Sequence, residues 1–236
     1  MRVRPLRLIG YVLAGVAALV VLIHAAYALQ IVWWRFNPVQ ETSFMRYRMT
    51  ELSDDLREKN RKAVLKYQWV PYERISNNVK RAMIAAEDAK FVDHEGFDWD
   101  GIQKAIEKNE RRGRIVAGGS TITQQLAKNL FLTPARSWIR KGQETVITLM
   151  LEALLDKRRI FEIYLNVIEL GSGVFGVEAA SRHYFSTSAA GVTAAQGARL
   201  AAMAPNPRFY ERNQGAPGFN RKIGIIIARM PSAELP

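Results

Sequence analysis

The stretch 82-AMIAAEDAKFVDHEGFDWDG-101 sets the reading of the whole chain. Val79, Met83 and Ala86 recur at helical spacing, and Ser76 or Asn77 stands where an N-cap belongs. A helix is therefore expected to run into two adjacent carboxylates, Glu87 and Asp88. On that helix Glu87 shares a face with Met83, Ile84 and Phe91, while Asp88 turns elsewhere. A carboxylate among apolar side chains has a raised pKa, which suits a general acid or base near neutral pH. The bland alternative is a capped or salt-bridged helix end. A metal held by Asp88, Asp93, His94 and Asp98 has no HExxH or facial-triad spacing behind it. His94 reads as a hydrogen-bonded structural residue, and no metal site is expected.

Working outward, the same helical period dominates. Residues 51–67 are charge-rich and helical in pattern, and Pro71 breaks the chain after them. Residues 107–119 are basic, polar and glycine-containing, and read as an exposed loop of low order. A capped helix is expected over 120–132. Thr133-Pro134 should start another that reaches about Asp156, with Thr as cap and Pro at the first helical position. Helical patterns follow at 158–170, 177–185 and 193–203, separated by a glycine-rich turn at 171–176, and the proline-containing tail reads as irregular. No repeat and no period-2 strand series is evident, so the fold class expected is mainly α.

Two further segments carry candidate chemistry. In 118-GGSTITQQLAKN-129 two glycines let backbone approach a ligand closely, and a helix start offers unpaired N–H groups to an anion. Thr121 and Gln124 have capping-box spacing; Gln125 and Lys128 share the face of Thr121. In the next helix Glu144 lies on the stripe of Ile147 and Leu151, with Arg140 and Lys141 one turn back and Arg136 two turns back. Taken alone, that pattern is an ordinary i,i+4 salt bridge.

The N-terminus is of another kind. Residues 8–34 form one apolar run, broken by His24 and Gln30 and closed by Trp33 and Trp34. That length spans a bilayer and exceeds a signal-peptide core, although Ala26-Tyr27-Ala28 has the form of a cleavage site. Arg2, Arg4 and Arg7 precede it and place residues 1–7 in the cytoplasm. Residues 35–50 read as a linker and 51–236 as the domain beyond the membrane. The chain of 236 residues has no cysteine and a net charge of +12. This excludes disulfides and thiolate sites and points to an anionic partner. A membrane-anchored exterior domain favours lipid headgroups or a phosphorylated substrate over nucleic acid.

The segments 87-EDAKFVDHEGFD-98, 118-GGSTITQQLAKN-129, 140-RKGQE-144, 162-EIYLN-166 and 173-GVFGVEAASRHYF-185, in this order, resemble the peptidoglycan glycosyltransferases, glycosyltransferase family 51. The resemblance covers about residues 68–206. It implies a lysozyme-like helical lobe with a small membrane-associated jaw. The longer members add a transpeptidase domain; no Ser-x-x-Lys or Lys-Thr-Gly occurs here, so the monofunctional form is expected. The implied reaction polymerises lipid II into β-1,4-linked glycan with release of undecaprenyl pyrophosphate and inversion. Glu87 matches the family's general base and Glu144 its second glutamate. Asp88, Phe91, His94, Ser120, Thr121, Gln124, Gln125, Lys128, Asn129, Arg136, Arg140 and Lys141 fall in or near its substrate-binding positions. No cofactor is required, but a divalent cation (magnesium or manganese) can assist at the pyrophosphate. Implied partners are lipid II, the lipid-linked glycan strand, membrane lipids and cell-wall synthesis or division proteins, and the implied location is the inner membrane with a periplasmic domain. Two other classes fit parts of the pattern. A lysozyme-like muramidase would use two carboxylates but needs no cations for a pyrophosphate; a non-catalytic cell-wall scaffold would not need to keep both glutamates and Lys128.

Overall fold

The computed structural model describes residues 5–57, 63–114, 118–135 and 137–236. The fold is mainly α, as the periodicity indicates. Helix α1 (Pro5–Trp34) is followed by α2 (Ser43–Arg57), α3 (Asn77–Glu87), α4 (Trp99–Arg112), α5 (Ile122–Phe131), α6 (Trp138–Leu154) and α7 (Lys157–Val167). Then come α8 (Val177–Phe185), α9 (Ala194–Met203), α10 (Pro207–Arg212) and α11 (Phe219–Arg229). Three short strands, β1 (Lys66–Tyr67), β2 (Glu169–Gly171) and β3 (Val174–Phe175), form a small sheet in the order β1-β3-β2. β3 pairs parallel to β1 and antiparallel to β2, with an irregularity between Glu169 and Gly171.

The core lies between two helix layers. α3 packs on α9, which also carries α11, while α5 packs on α6 and α7. Val79, Ala82 and Met83 of α3 are fully buried, as are Ala198, Leu200, Ala201 and Ala202 of α9. The small residues of α9 let the two backbones approach. At Gly197 an added Cβ would lie 3.0 Å from Asn78 O and 3.2 Å from Val79 N.

α1 is exposed along most of its length, with apolar side chains such as Leu13, Leu19, Val21 and Leu22 facing outward. Its 26-residue apolar segment, Ile9–Trp34, is long enough to cross a membrane. The C-terminal end instead joins the core. Ile31 and Trp34 are buried, and the rings of Tyr27 and Trp34 lie 4.4 and 5.4 Å from that of Phe131 at the end of α5. Arg159 donates from Nε to Trp34 O at 2.8 Å and from Nη2 to Asn37 O at 2.6 Å, satisfying carbonyls at the helix end.

Four expectations are corrected. The expected linker contains the start of α2, because the Thr42 hydroxyl accepts Met45 N at 3.0 Å and caps a helix there. Residues 107–112 are helical, not a loop: Asp98 caps α4, its charges face solvent, and Gly113 ends it in the left-handed conformation (φ 61°). The low order expected at 115–117 falls outside the described residues. α6 starts after Ser137, whose hydroxyl accepts Arg140 N at 3.1 Å, not at Thr133-Pro134. The tail holds α10 and α11, since Pro207 occupies a first-turn position where no N–H is needed.

Gly197→Val is expected to lower the thermal midpoint, since overpacking costs about 1–3 kcal/mol and each kcal/mol moves a domain of this size by about 2–4 °C. Gly142→Ala, on α6 with open space at its Cβ, should leave the midpoint level or raise it. Thermal unfolding of the detergent-solubilised protein compares the two, and an unchanged midpoint for Gly197→Val contradicts the close α3–α9 approach.

Candidate active site

Glu87 is the last residue of α3 and Asp88 its C-cap. Asp88 is buried. Its carboxylate accepts His94 Nε2 at 2.9 and 3.1 Å and the backbone N–H of Ile122 at 2.9 Å. One side chain thus ties the end of α3 to the start of α5, where the helix dipole favours a negative charge. Phe91 is fully buried against Phe161 and His94 and supports this joint from within the core. Gly96 completes it. Its carbonyl accepts the Thr121 hydroxyl at 2.7 Å, its φ is +86°, and a Cβ would meet Thr148 Cγ2 at 2.8 Å. Thr121 and Gln124 form the capping box expected of them, so both polar side chains are occupied at the start of α5.

Within this frame Glu87 is half-buried. Its Oε2 accepts Gln125 Nε2 at 2.9 Å, whereas Oε1 is buried and has no hydrogen-bond partner. The buried Tyr164 hydroxyl donates to Gln125 Oε1 at 3.2 Å, which turns the amide so that its N–H meets Glu87. Burial raises the Glu87 pKa. The Gln125 bond and the charges of Lys222 and Lys128 pull it back down, while Asp88 pushes it up. Burial likewise lowers the pKa of Lys128, which the nearby Glu144 opposes.

Glu144 is buried on α6. It accepts Arg140 Nη1 at 2.6 Å and also the Lys141 ammonium. The i,i+4 pair read from sequence is present, but it is part of a cationic wall. A cavity of 330 Å³ is lined by Gln125, Lys128, Asn129 and Arg140 from α5 and α6. It is lined also by Arg48, Glu169 and Arg208, which the sequence reading did not single out. A second cavity of 180 Å³ is lined by Glu87, Asp88, Gly118, Gly119, Ser120, Thr121 and Arg229. Gln125 lines the first and donates to Glu87, which lines the second, so one hydrogen bond joins the two cavities. Arg136 lies outside the described residues. Lys141 lines neither cavity and faces Glu144.

The arrangement suits a proton acceptor at Glu87, a neutral group in the glycine-lined cavity and an anion beside Lys128 and Arg140. A family model described as Transglycosylase matches residues 55–231. The chain is 65% identical over 206 residues to a biosynthetic peptidoglycan transglycosylase of Dechloromonas aromatica, covering 87% of each chain. It is 60% identical over 218 residues to the protein of that name in Herminiimonas arsenicoxydans, covering 92% of this chain and 93% of the relative. A third relative with that name, from Janthinobacterium sp. (strain Marseille), is 55% identical over 230 residues, covering 98% of each.

The raised Glu87 pKa has a consequence for stability. Its stability contribution is fully present below the ordinary carboxyl value of 4.5 and is lost as pH rises through the folded value. Glu87→Gln removes the buried charge and keeps an acceptor for Gln125. The variant is therefore expected to unfold at a higher temperature than the parent at pH 8, with the gap closing toward pH 4.5. Thermal midpoints measured across that range check this; a gap that does not change with pH contradicts the burial of the charge.

Proposed function

The chain belongs to the transglycosylase family, and we propose that it polymerises lipid II with Glu87 as the general base. It is a peptidoglycan glycosyltransferase with the helical, lysozyme-like fold of that family. Its substrates are lipid II and the growing glycan strand.

The observation that supports the mechanism best is the hydrogen bond from Gln125, which lines the cationic cavity, to Glu87, which lines the glycine-lined one. In the proposed reaction the acceptor's 4-hydroxyl enters the glycine-lined cavity and gives its proton to Glu87. The oxygen then attacks the donor's anomeric carbon from the face opposite the leaving pyrophosphate. The new bond is β-1,4, the C–O bond to pyrophosphate breaks, and the configuration inverts. Lys128 and Arg140 face the departing anion and stabilise the charge as it develops. Glu144 holds Arg140 and Lys141 in place beside the departing pyrophosphate. Desolvation keeps Glu87 basic enough to take a proton, and the Gln125 bond keeps it from remaining protonated. Ser120 lines the acceptor side and Asn129 the donor side. Asp88, Phe91, His94, Thr121 and Gln124 act by fixing the two helices.

The donor set does not make a divalent-ion site of its own. The cavity assigned to the pyrophosphate is lined by Lys128, Arg140, Arg48 and Arg208, with Glu169 its one carboxylate among the described residues. A cation there would have to arrive with its substrate, and no step is assigned to it.

The apolar helix α1 is compatible with a single-pass anchor. We place the protein in the inner membrane with the basic N-terminus in the cytoplasm and the catalytic domain in the periplasm. Both substrates carry lipid tails, and a tether reduces the search to two dimensions. Membrane lipids are thus direct neighbours of the protein, and cell-wall synthesis or division proteins its expected associates.

Incubating the full-length protein with labelled lipid II and sizing the products tests this reading. Glycan polymer is expected, with no release of muropeptides from isolated sacculi. Lys128→Ala should cut the polymerisation rate by about 10²–10³-fold, the loss typical for one charge-stabilising donor. Release of muropeptides without polymer makes the protein a hydrolase, and an unaffected Lys128→Ala removes the role given to the cationic wall.

A further inference from the structure

Part of the lining of the larger cavity has no step in the mechanism above. β2 brings Glu169 to it, α2 brings Arg48 and α10 brings Arg208. Glu169 is 5% exposed. Its Oε2 accepts Arg48 Nε at 3.0 Å, and its Oε1 is buried with no hydrogen-bond partner. Arg48 also pairs with Glu51, which accepts Arg208 Nη1 at 2.9 Å. An ion-pair chain therefore runs from β2 through α2 to α10 and fixes the Glu169 carboxylate on one side. Arg48 and Glu51 precede residues 55–231, the stretch matched by the family model.

A buried carboxylate oxygen without a donor is costly, and native structures keep few of them. Burial raises the Glu169 pKa and the Arg48 charge opposes this, so its ionised form gains from any further donor. We propose that Glu169 Oε1 binds the donor saccharide, accepting a hydrogen bond from one of its hydroxyl or acetamido N–H groups. The inference rests on the reading that the pyrophosphate lies beside Lys128 and Arg140. Given that, the saccharide next to the pyrophosphate lies in the same cavity as Glu169. A sugar supplies hydroxyl and amide donors that a carboxylate accepts, whereas an ionised pyrophosphate supplies none.

Affinity for labelled lipid II, measured in a Glu87→Gln background that prevents turnover, tests this. Adding Glu169→Leu should weaken lipid II binding by about tenfold, while Glu169→Gln, which keeps an acceptor, should lose less than about threefold. Arg48→Met removes the ion pair but leaves the acceptor, and should also stay within about threefold. Competition by inorganic pyrophosphate should be unchanged in Glu169→Leu and weakened in Lys128→Ala. The proposal is overturned if Glu169→Leu binds lipid II within about twofold of its parent, or if Glu169→Leu weakens pyrophosphate and lipid II alike. If Lys128→Ala leaves pyrophosphate competition intact, it is the pyrophosphate reading that has failed, and the proposal goes with it.

Discussion

The site depends on one buried carboxylate. Asp88 accepts both the His94 ring and the first backbone N–H of α5. Removing it would leave a buried helix start and a buried imidazole unpaired, each of which costs about 1–3 kcal/mol. Because Asp88 holds α3 to α5, its neighbour Glu87 and the Gln125 that partners it keep a fixed separation. Lys128 sits one turn further along the same helix. Glu87 and Lys128 are thus carried by two helices that Asp88 ties together. The Glu87 carboxylate is left with one oxygen bonded and one unpaired, a destabilising arrangement. The surrounding core, from Val79 to Ala202, overdetermines the backbone enough to hold it there.

Much of this was legible in the sequence, and the reason is local. Helix period and capping chemistry act over three or four residues, so α3, α5, α7, α8 and α9 follow from their own segments. The cap at Ser76 and the box at Thr121 and Gln124 were readable for the same reason. The misread ends failed locally as well. Thr42 and Ser137 are caps in plain view, but the run after Thr42 is too polar to announce a helix, and Thr133-Pro134 offers a competing start signal just before Ser137. Pro207 looked like a breaker because its permitted place at a helix start depends on where that helix begins.

The part of the cavity lining formed by Arg48, Glu169 and Arg208 could not be read in this way. Arg48 meets Glu169 across 121 positions of sequence, and Arg208 meets Glu51 across 157. No spacing rule connects residues so far apart; only the packing of α2 on α5 and of α10 on β2 brings them together. The same holds for the end of α1. An apolar run with terminal Trp residues announces a membrane span, but not that Trp34 packs on Phe131 or that Arg159 caps its carbonyls. As a result α1 joins the core beside the helix that carries Lys128.

The central claim is that Glu87 takes the proton from the attacking hydroxyl. The most direct measurement is the initial rate of glycan polymerisation by purified full-length Glu87→Gln in lipid vesicles, beside its affinity for lipid II. The account predicts a rate lower by about 10²–10⁴-fold, the usual contribution of a positioned base, with affinity retained. A variant that still polymerises within about tenfold of the parent contradicts it.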